Sequence, residues 1–258
     1  MNNTHYLNIK REGHVGVITF SRGPLNYFNA QVIEELVTVL QIFDNDDSCR
    51  ATVFCAKGSV FCAGGEFGKG EAGSNTYIEM ARRLYATAMK LFDIQKPIVM
   101  AIEGATVGGG LGLALVADFR VASKRAKFSA NFNRLGIHPG FGSSVTLPRV
   151  VGSQAAELLF YTGKRIKADE ASRIGLVDRL VEAGQAKSVA ILLAHEIAGS
   201  APLAVQSTRQ TMRLGLAEKV KEANKRELEI QIKQMHSQDF IEGVTATAER
   251  RAPIFVSK

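Results

Sequence analysis

The sequence predicts an α/β fold. Two observations carry that reading: short apolar runs of strand length recur through the first half of the chain, and one-sided helical patterns lie between them. A chain of 258 residues that is 46% hydrophobic can bury one sizeable core, or a core with a small appendage. Alternation alone leaves open whether the units form a doubly wound sheet or a spiral of ββα turns.

The elements follow in order. Val15 to Phe20 is apolar but for one threonine and reads as a strand. Gln31 to Phe43 carries Val32, Ile33, Leu36, Val37, Leu40 and Phe43 on one side, the stripe of a half-buried helix. Ala51 to Ala56 is a compact apolar strand. Glu66 to Asn75 contains Gly68, Gly70 and Gly73 and reads as a mobile surface loop. Tyr77 to Phe92 repeats the helical stripe with Ile78, Met80, Leu84, Tyr85, Ala88, Leu91 and Phe92. Ile98 to Ile102 and Phe119 to Ala122 are further strands, with an apolar helix, Leu111 to Ala117, between them. From about Pro202 the strands stop. A long helical region runs to about Gln238 and a shorter one from Ile241 to Arg251. Met212, Leu216, Val220, Leu228, Ile232 and Met235 recur there at helical spacing, as core or subunit-interface residues do.

Two glycine-bearing turns carry the chemistry. They are Phe61-Cys62-Ala63-Gly64-Gly65-Glu66 and Gly104-Ala105-Thr106-Val107-Gly108-Gly109-Gly110-Leu111-Gly112, each after a strand-like run. Glycine lets a backbone N–H stand beside a ligand with no Cβ in the way. Two such turns in one core aim two N–H groups at one carbonyl oxygen, which is an oxyanion hole. A glycine triplet by itself more often marks a tight turn or close helix–strand packing.

Composition excludes several classes. The net charge is +7, but basic residues are interspersed with acids, and Glu222 with Arg226 and Glu229 with Lys233 lie four apart in the favourable order. These are solvated helix faces, and no nucleic acid is expected. Cys49, Cys55 and Cys62 are odd in number and lack Cys-x-x-Cys spacing, so they read as buried free thiols. Apolar neighbours raise the thiol pKa of Cys62 beside the first turn. His5, His14, His138, His195 and His236 form no close pair, so no metal is implied. No charged-then-apolar leader opens the sequence, and its apolar stretches are broken well short of a bilayer span, so the expectation is a cytoplasmic protein without a membrane partner.

The text around the turns makes them specific. Lys96-Pro97-Ile98-Val99-Met100-Ala101-Ile102-Glu103 leads into the second turn, and Leu113-Ala114-Leu115-Val116-Ala117-Asp118 follows it. Gly136-Ile137-His138-Pro139-Gly140 and the stretch from Thr162-Gly163 to Gly175-Leu176-Val177 lie downstream. Together they resemble the crotonase family, the enoyl-CoA hydratases and isomerases, from about Tyr6 to Phe255. The resemblance implies a spiral of ββα units over residues 1–200. It also implies a helical C-terminal region, 201–258, on which homotrimers or dimers of trimers assemble. The substrate is then an acyl-CoA thioester, with no cofactor beyond coenzyme A itself, and the positive charge suits its phosphates.

Carried across by motif, the two oxyanion donors fall on Gly65 and Gly109, where the opening helix adds positive potential. Substrate-binding positions fall on Arg22, Leu25 and Tyr27 at the nucleotide end, and on Ala63, Gly64, Phe67, Gly108 and Gly112 around the turns. Further ones are Asn131, Phe132, Pro139 and Gly140, and Arg250 in Glu249-Arg250-Arg251-Ala252-Pro253-Ile254-Phe255. The Gly23-Pro24 order departs from the family's usual Arg-Pro. Glu66 stands where the family usually has Asp, and reads as holding the turn.

The acid–base positions depart furthest. Family hydratases carry two glutamates, one shortly after the triplet and one before the Gly-x-x-Pro-Gly segment, and the motifs place Gly112 and Phe132 there. Neither accepts a proton. A positioned acid or base contributes roughly 10²- to 10⁴-fold, so the expectation is a poor classical hydratase. His138, with a side chain suited to proton transfer near neutrality, is the replacement candidate. Asn131 and Asn133 are candidates for bonding an acyl substituent. The alternatives are a decarboxylase, which needs the oxyanion hole and little else, and a non-catalytic acyl-CoA-binding subunit.

Overall fold

The computed structural model describes residues 4–66 and 74–258. Ten strands are present among them: β1 (Leu7–Glu12), β2 (Val15–Phe20), β3 (Ala51–Ala56), β4 (Val60–Cys62), β5 (Ile98–Ile102), β6 (Ala105–Val107), β7 (Phe119–Ser123), β8 (Lys127–Ser129), β9 (Arg165–Lys167) and β10 (Arg179–Val181). The helices are α1 (Ala30–Asp44), α2 (Asn75–Met89), α3 (Gly109–Ala114), α4 (Ser143–Val151), α5 (Ser153–Thr162), α6 (Ala168–Arg173), α7 (Ala186–Ala198), α8 (Pro202–Met212), α9 (Leu216–Gln234) and α10 (Gln238–Glu249).

The strands form two sheets, ordered β1-β2-β3-β5-β7-β10 and β4-β6-β8-β9. From β3 to β8 the chain gives one strand to each sheet in turn, so the expected spiral of ββα units is what the topology describes. In the larger sheet β2, β3, β5, β7 and β10 run parallel, and β1 closes the edge antiparallel to β2. A parallel sheet covered on both faces needs near-continuous apolar strands, and β2, β3 and β5 read VGVITF, ATVFCA and IVMAI. Val15, Val17, Val53, Val99 and Val121 face Ala190, Leu193 and Ala194 of α7. Ile18, Phe20, Phe54 and Met100 point the other way, into the main core with the stripes of α1 and α2.

Polar side chains set the helix starts. Asn29, Ser74 and Ser237 accept from the backbone N–H groups of Val32, Tyr77 and Phe240, capping α1, α2 and α10. The long helical region expected after Pro202 consists of two helices, α8 and α9. Gly215, at φ +71°, takes a left-handed conformation that ends the run and starts α9. The stripe divides with it: Val220 and Met235 are fully buried, Leu228 and Ile232 pack on the core, and Met212 is 71% exposed. Asp118 fastens α8 to the sheet. It accepts from Arg209 Nε at 2.9 Å, Arg213 Nη1 at 2.9 Å and the backbone N–H of Ile98 at 2.9 Å. No single helix among the described residues is long and apolar enough to cross a membrane.

Candidate active site

The short second sheet brings the two glycine turns together. β4 and β6 run parallel with Cys62 opposite Thr106, so the chain leaves both strands on the same side. Beyond them lie Gly64, at φ +121°, and Gly108, at φ +54°, conformations that strain any residue with a Cβ. A methyl group on Gly109 would stand 3.2 Å from the amide nitrogen of Gly65 and 3.0 Å from Cζ of Phe28. One on Gly110 would stand 2.2 Å from the carbonyl oxygen of Cys62. The first glycine leaves room beside an amide; the second lets α3 lie against β4.

The amides themselves remain available. Phe28 N–H donates to Gly64 O at 3.1 Å and Glu66 N–H donates to Phe28 O at 2.7 Å, a bridge that skips the N–H of Gly65. Gly108 N–H donates to Ser129 O at 2.9 Å, and the helical bonds of α3 begin at Leu111. Among the described residues neither Gly65 N–H nor Gly109 N–H has an acceptor. Both border one cavity of about 630 Å³. Two convergent donors in an enclosed site stabilise an oxyanion far better than the same donors in water.

The walls of the cavity are mostly apolar. Phe28, Phe132 and Phe141 line it, with the rings of Phe28 and Phe141 edge to face at 5.7 Å. A methyl group on Gly112 would stand 2.8 Å from Cβ of Phe141, so the phenylalanine fills the space a side chain at 112 would enter. Gly112 itself does not border the cavity. Among the described lining residues none is Asp, Glu or His. The protic or cationic side chains are Tyr85, Asn131 and Thr247, with Tyr27 at the mouth, and Arg165 and Arg250.

This geometry has relatives. Residues 10–258 match the family model for enoyl-CoA hydratase/isomerase. The chain belongs to the enoyl-CoA hydratase/isomerase family. It is similar to the carnitinyl-CoA dehydratase of Proteus mirabilis, with 33% identity over 252 residues, covering 96% of this chain and 97% of that one. A short-chain-enoyl-CoA hydratase of Clostridium acetobutylicum is 33% identical over 249 residues, 94% of each chain. The crystal structure of a carnitinyl-CoA hydratase from Mycobacterium avium superposes with a TM-score of 0.87 at 27% identity, covering 99% of this chain and 100% of that one.

Within this member of the enoyl-CoA hydratase/isomerase family, the structure gathers most of the expected site residues. Leu25, Tyr27, Ala63, Gly64, Gly65, Gly108, Gly109, Asn131, Phe132 and Arg250 border the cavity. The loop carrying Leu25 and Tyr27 is pinned by the buried Asn26, whose Nδ2 donates to Lys57 O at 2.9 Å and Val60 O at 2.7 Å. Phe67 lies outside the described residues, as does most of the loop expected over Glu66 to Asn75.

Other expectations need correction. His138 does not reach the glycine cavity. Its neighbour Ile137 does, while the imidazole lies in a separate cavity of about 530 Å³ with Pro139, Ser144 and Phe160. There Nδ1–H donates to Pro139 O at 2.7 Å, and the backbone of His138 is held by Gln234 and Gln231. Pro139 borders that second cavity as well. Gly140 borders neither, and serves close packing: a methyl group on it would lie 2.3 Å from the hydroxyl oxygen of Tyr85. Asn133 borders the second cavity, not the first.

Arg22 is also engaged elsewhere. Its guanidinium pairs with Glu66, donates to Tyr27 O at 2.9 Å and lies 5.3 Å over the ring of Tyr6. It latches the loop to the first turn, and Glu66 holds that turn as expected. Arg250 takes a left-handed cap at the end of α10, while its neighbour Arg251 takes both Glu242 and Glu249. Burial pushes the Cys62 thiol up to about 12, which makes it inert. Among the described residues no cluster of three His, Cys, Asp or Glu side chains is placed to hold a metal.

The sequence reading missed Tyr85, Phe141 and Arg165. Tyr85 counted only as one member of a helical stripe, though a hydroxyl within an apolar stripe is itself a signal. Phe141 has φ +66°, which no residue pattern announces. Arg165 stands on a strand of three residues, too short to show alternation.

Proposed function

We propose that this chain binds an acyl-CoA thioester with its carbonyl oxygen between the amides of Gly65 and Gly109, and carries it through an enolate. The observation that supports this best is the meeting of two N–H groups, neither bonded among the described residues, in one apolar cavity. The relatives' names, a dehydratase and hydratases of CoA thioesters, point to the same substrate class.

The walls argue for slow classical hydration. Adding water across a double bond needs a group to activate the water and a group to move its proton, and each is worth roughly 10²- to 10⁴-fold. The described walls offer neither a carboxylate nor an imidazole. The same lack favours one second reading, decarboxylation of a malonyl-type thioester. There the bond from the α-carbon to the carboxylate breaks, its electron pair moves toward the thioester oxygen, carbon dioxide leaves, and no base is required.

Incubation in heavy water with enoyl-, acyl- and malonyl-type CoA thioesters, followed by mass, tests both readings. The expected result is deuterium at the α-carbon, with crotonyl-CoA hydrated far more slowly than is usual for a hydratase. Loss of carbon dioxide selects the decarboxylase. Binding without any mass change overturns the enolate and leaves a binding subunit.

Arg250 is the residue assigned to the phosphates. Arg250→Ala is expected to weaken binding of coenzyme A by about three- to tenfold at low salt, with the difference shrinking as salt is added. An unchanged affinity, measured by calorimetry, removes it from the site. A homotrimer is the assembly proposed, supported by the exposure of Leu203, Met212 and Leu214 at 80%, 71% and 82% along the C-terminal helices.

A further inference from the structure

We infer that Arg165 selects the acyl group by binding a carboxylate at its far end, which makes the substrate the CoA thioester of a dicarboxylic acid. The inference rests on the enolate reading and names the substrate class of the same site.

The smaller sheet gives Arg165 its place. Val107, Ser129 and Arg165 are register partners across β6, β8 and β9, and residues paired in this way share a face of the sheet. The neighbouring rung, Thr106, Phe128 and Ile166, is buried on the core side. Arg165 therefore faces away from the core, as Ala105 and Val107 do, and all three border the glycine cavity.

The order of the strands separates the two ends of the ligand. The sheet runs β4-β6-β8-β9, and the loop carrying Leu25 and Tyr27 is tied to its β4 side, where Ala63 N–H donates to Leu25 O at 3.0 Å and Phe28 pairs with Gly65. Arg165 stands at the opposite edge, on β9, and the turn carrying Gly109 follows β6 between them. A thioester carbonyl held by the two amides, with its coenzyme leaving past Leu25 and Tyr27, directs its acyl chain toward Arg165. From β6 to β9 is two strand spacings, about 10 Å, a gap that the acyl chain and the arginine side chain cross from opposite sides.

The charge there is uncompensated. Among the described residues the Arg165 guanidinium has no hydrogen-bond or ion-pair partner, and no Asp or Glu lines the cavity. Its sequence neighbour Lys164, by contrast, pairs with Glu170 at 2.7 Å. Lys127 and Lys167 lie opposite each other on the same face as Arg165, both exposed. Like charges so placed destabilise a strand pair, and an anionic ligand relieves them. Arg250, the other cation of the lining, ends α10 and is the one assigned to the phosphates. Arg165 is left for the acyl end, where a guanidinium offers a carboxylate two parallel N–H bonds.

Calorimetry on the full-length protein tests this with glutaryl-CoA, with pentanoyl-CoA, whose chain is equally long but ends in a methyl group, and with free coenzyme A. The parent is expected to bind glutaryl-CoA about tenfold or more tightly than pentanoyl-CoA. Arg165→Gln, at an exposed position, should abolish that preference while the Kd values of pentanoyl-CoA and coenzyme A stay within about twofold. Arg165→Lys should keep part of it, since the charge remains and the paired geometry does not. Equal affinity of the parent for the two thioesters overturns the inference. So does an Arg165→Gln variant that loses affinity for all three ligands alike, the result expected of an arginine on the phosphates. Deuteration of glutaryl-CoA at the α-carbon in heavy water tests the enolate separately. A parent that prefers glutaryl-CoA and deuterates none overturns the enolate reading and leaves the carboxylate site standing.

Discussion

Gly109→Ala is expected to lower turnover by about 10²- to 10³-fold, with the melting temperature nearly unchanged. The added methyl group meets Cζ of Phe28 at 3.0 Å and the Gly65 nitrogen at 3.2 Å, so both must give by a few tenths of an ångström. That displacement falls on the pair of donors, and misplacing one oxyanion donor carries a penalty of about 3 to 4 kcal/mol in the transition state. Stability is spared because residue 109 opens α3, where alanine is a better helix former than glycine. Gly110→Ala should behave in the opposite way. Its methyl group would sit 2.2 Å from the backbone oxygen of Cys62, which has no flexible end to move, and a destabilisation of about 3 kcal/mol or more is expected. Thermal melts and deuteration rates on the two variants separate the roles. Equal losses of activity at equal stability would reduce the first turn's partner to packing.

The strands of the larger sheet were legible because parallel, doubly covered strands must be apolar throughout. Residues 15–20, 51–56 and 98–102 are read from the sequence at the bounds the structure has. The smaller sheet was not legible. Its strands β4, β6, β8 and β9 have three residues each, less than two periods of alternation, and only their pairing makes them strands. Yet that sheet is what sets Gly65 beside Gly109. The motif singled out the two glycines, and the register explains why they meet. His138 shows the limit of reading a loop by its residue types: Gly136, at φ +73°, directs the chain so that Ile137 enters the cavity and the imidazole does not. Tyr85 shows the converse, a chemically distinct residue concealed in a stripe whose spacing already had an explanation.

The stripe of α9 carries the second large effect. Its buried face includes Asn224, Glu227 and Gln231, three polar residues within a helix whose spacing alone suggests ordinary core. Glu227 is 1% exposed, and its carboxylate accepts from Gly142 N–H at 2.7 Å, Ser144 N–H at 3.0 Å and Ser144 Oγ at 2.5 Å. It thus caps the first turn of α4 from another helix and fixes the glycine loop that carries Phe141. Glu227→Ala leaves the buried amide of Gly142 and the partly buried amide of Ser144 without their partner and is expected to destabilise the protein by about 2 to 4 kcal/mol. Burial is the largest influence on this carboxyl and raises its pKa above the ordinary value of 4.5. The folded state then binds the proton more tightly than the unfolded chain does. The resulting stabilisation is fully present below the unfolded value and is lost as pH rises through the folded one. Urea unfolding of the parent should therefore show this contribution declining from about pH 4.5 upward, and Glu227→Gln, which does not titrate, should lack that part of the slope. If both proteins show the same slope over that window, folding leaves the proton affinity of this carboxyl unchanged and the three donors offset its burial.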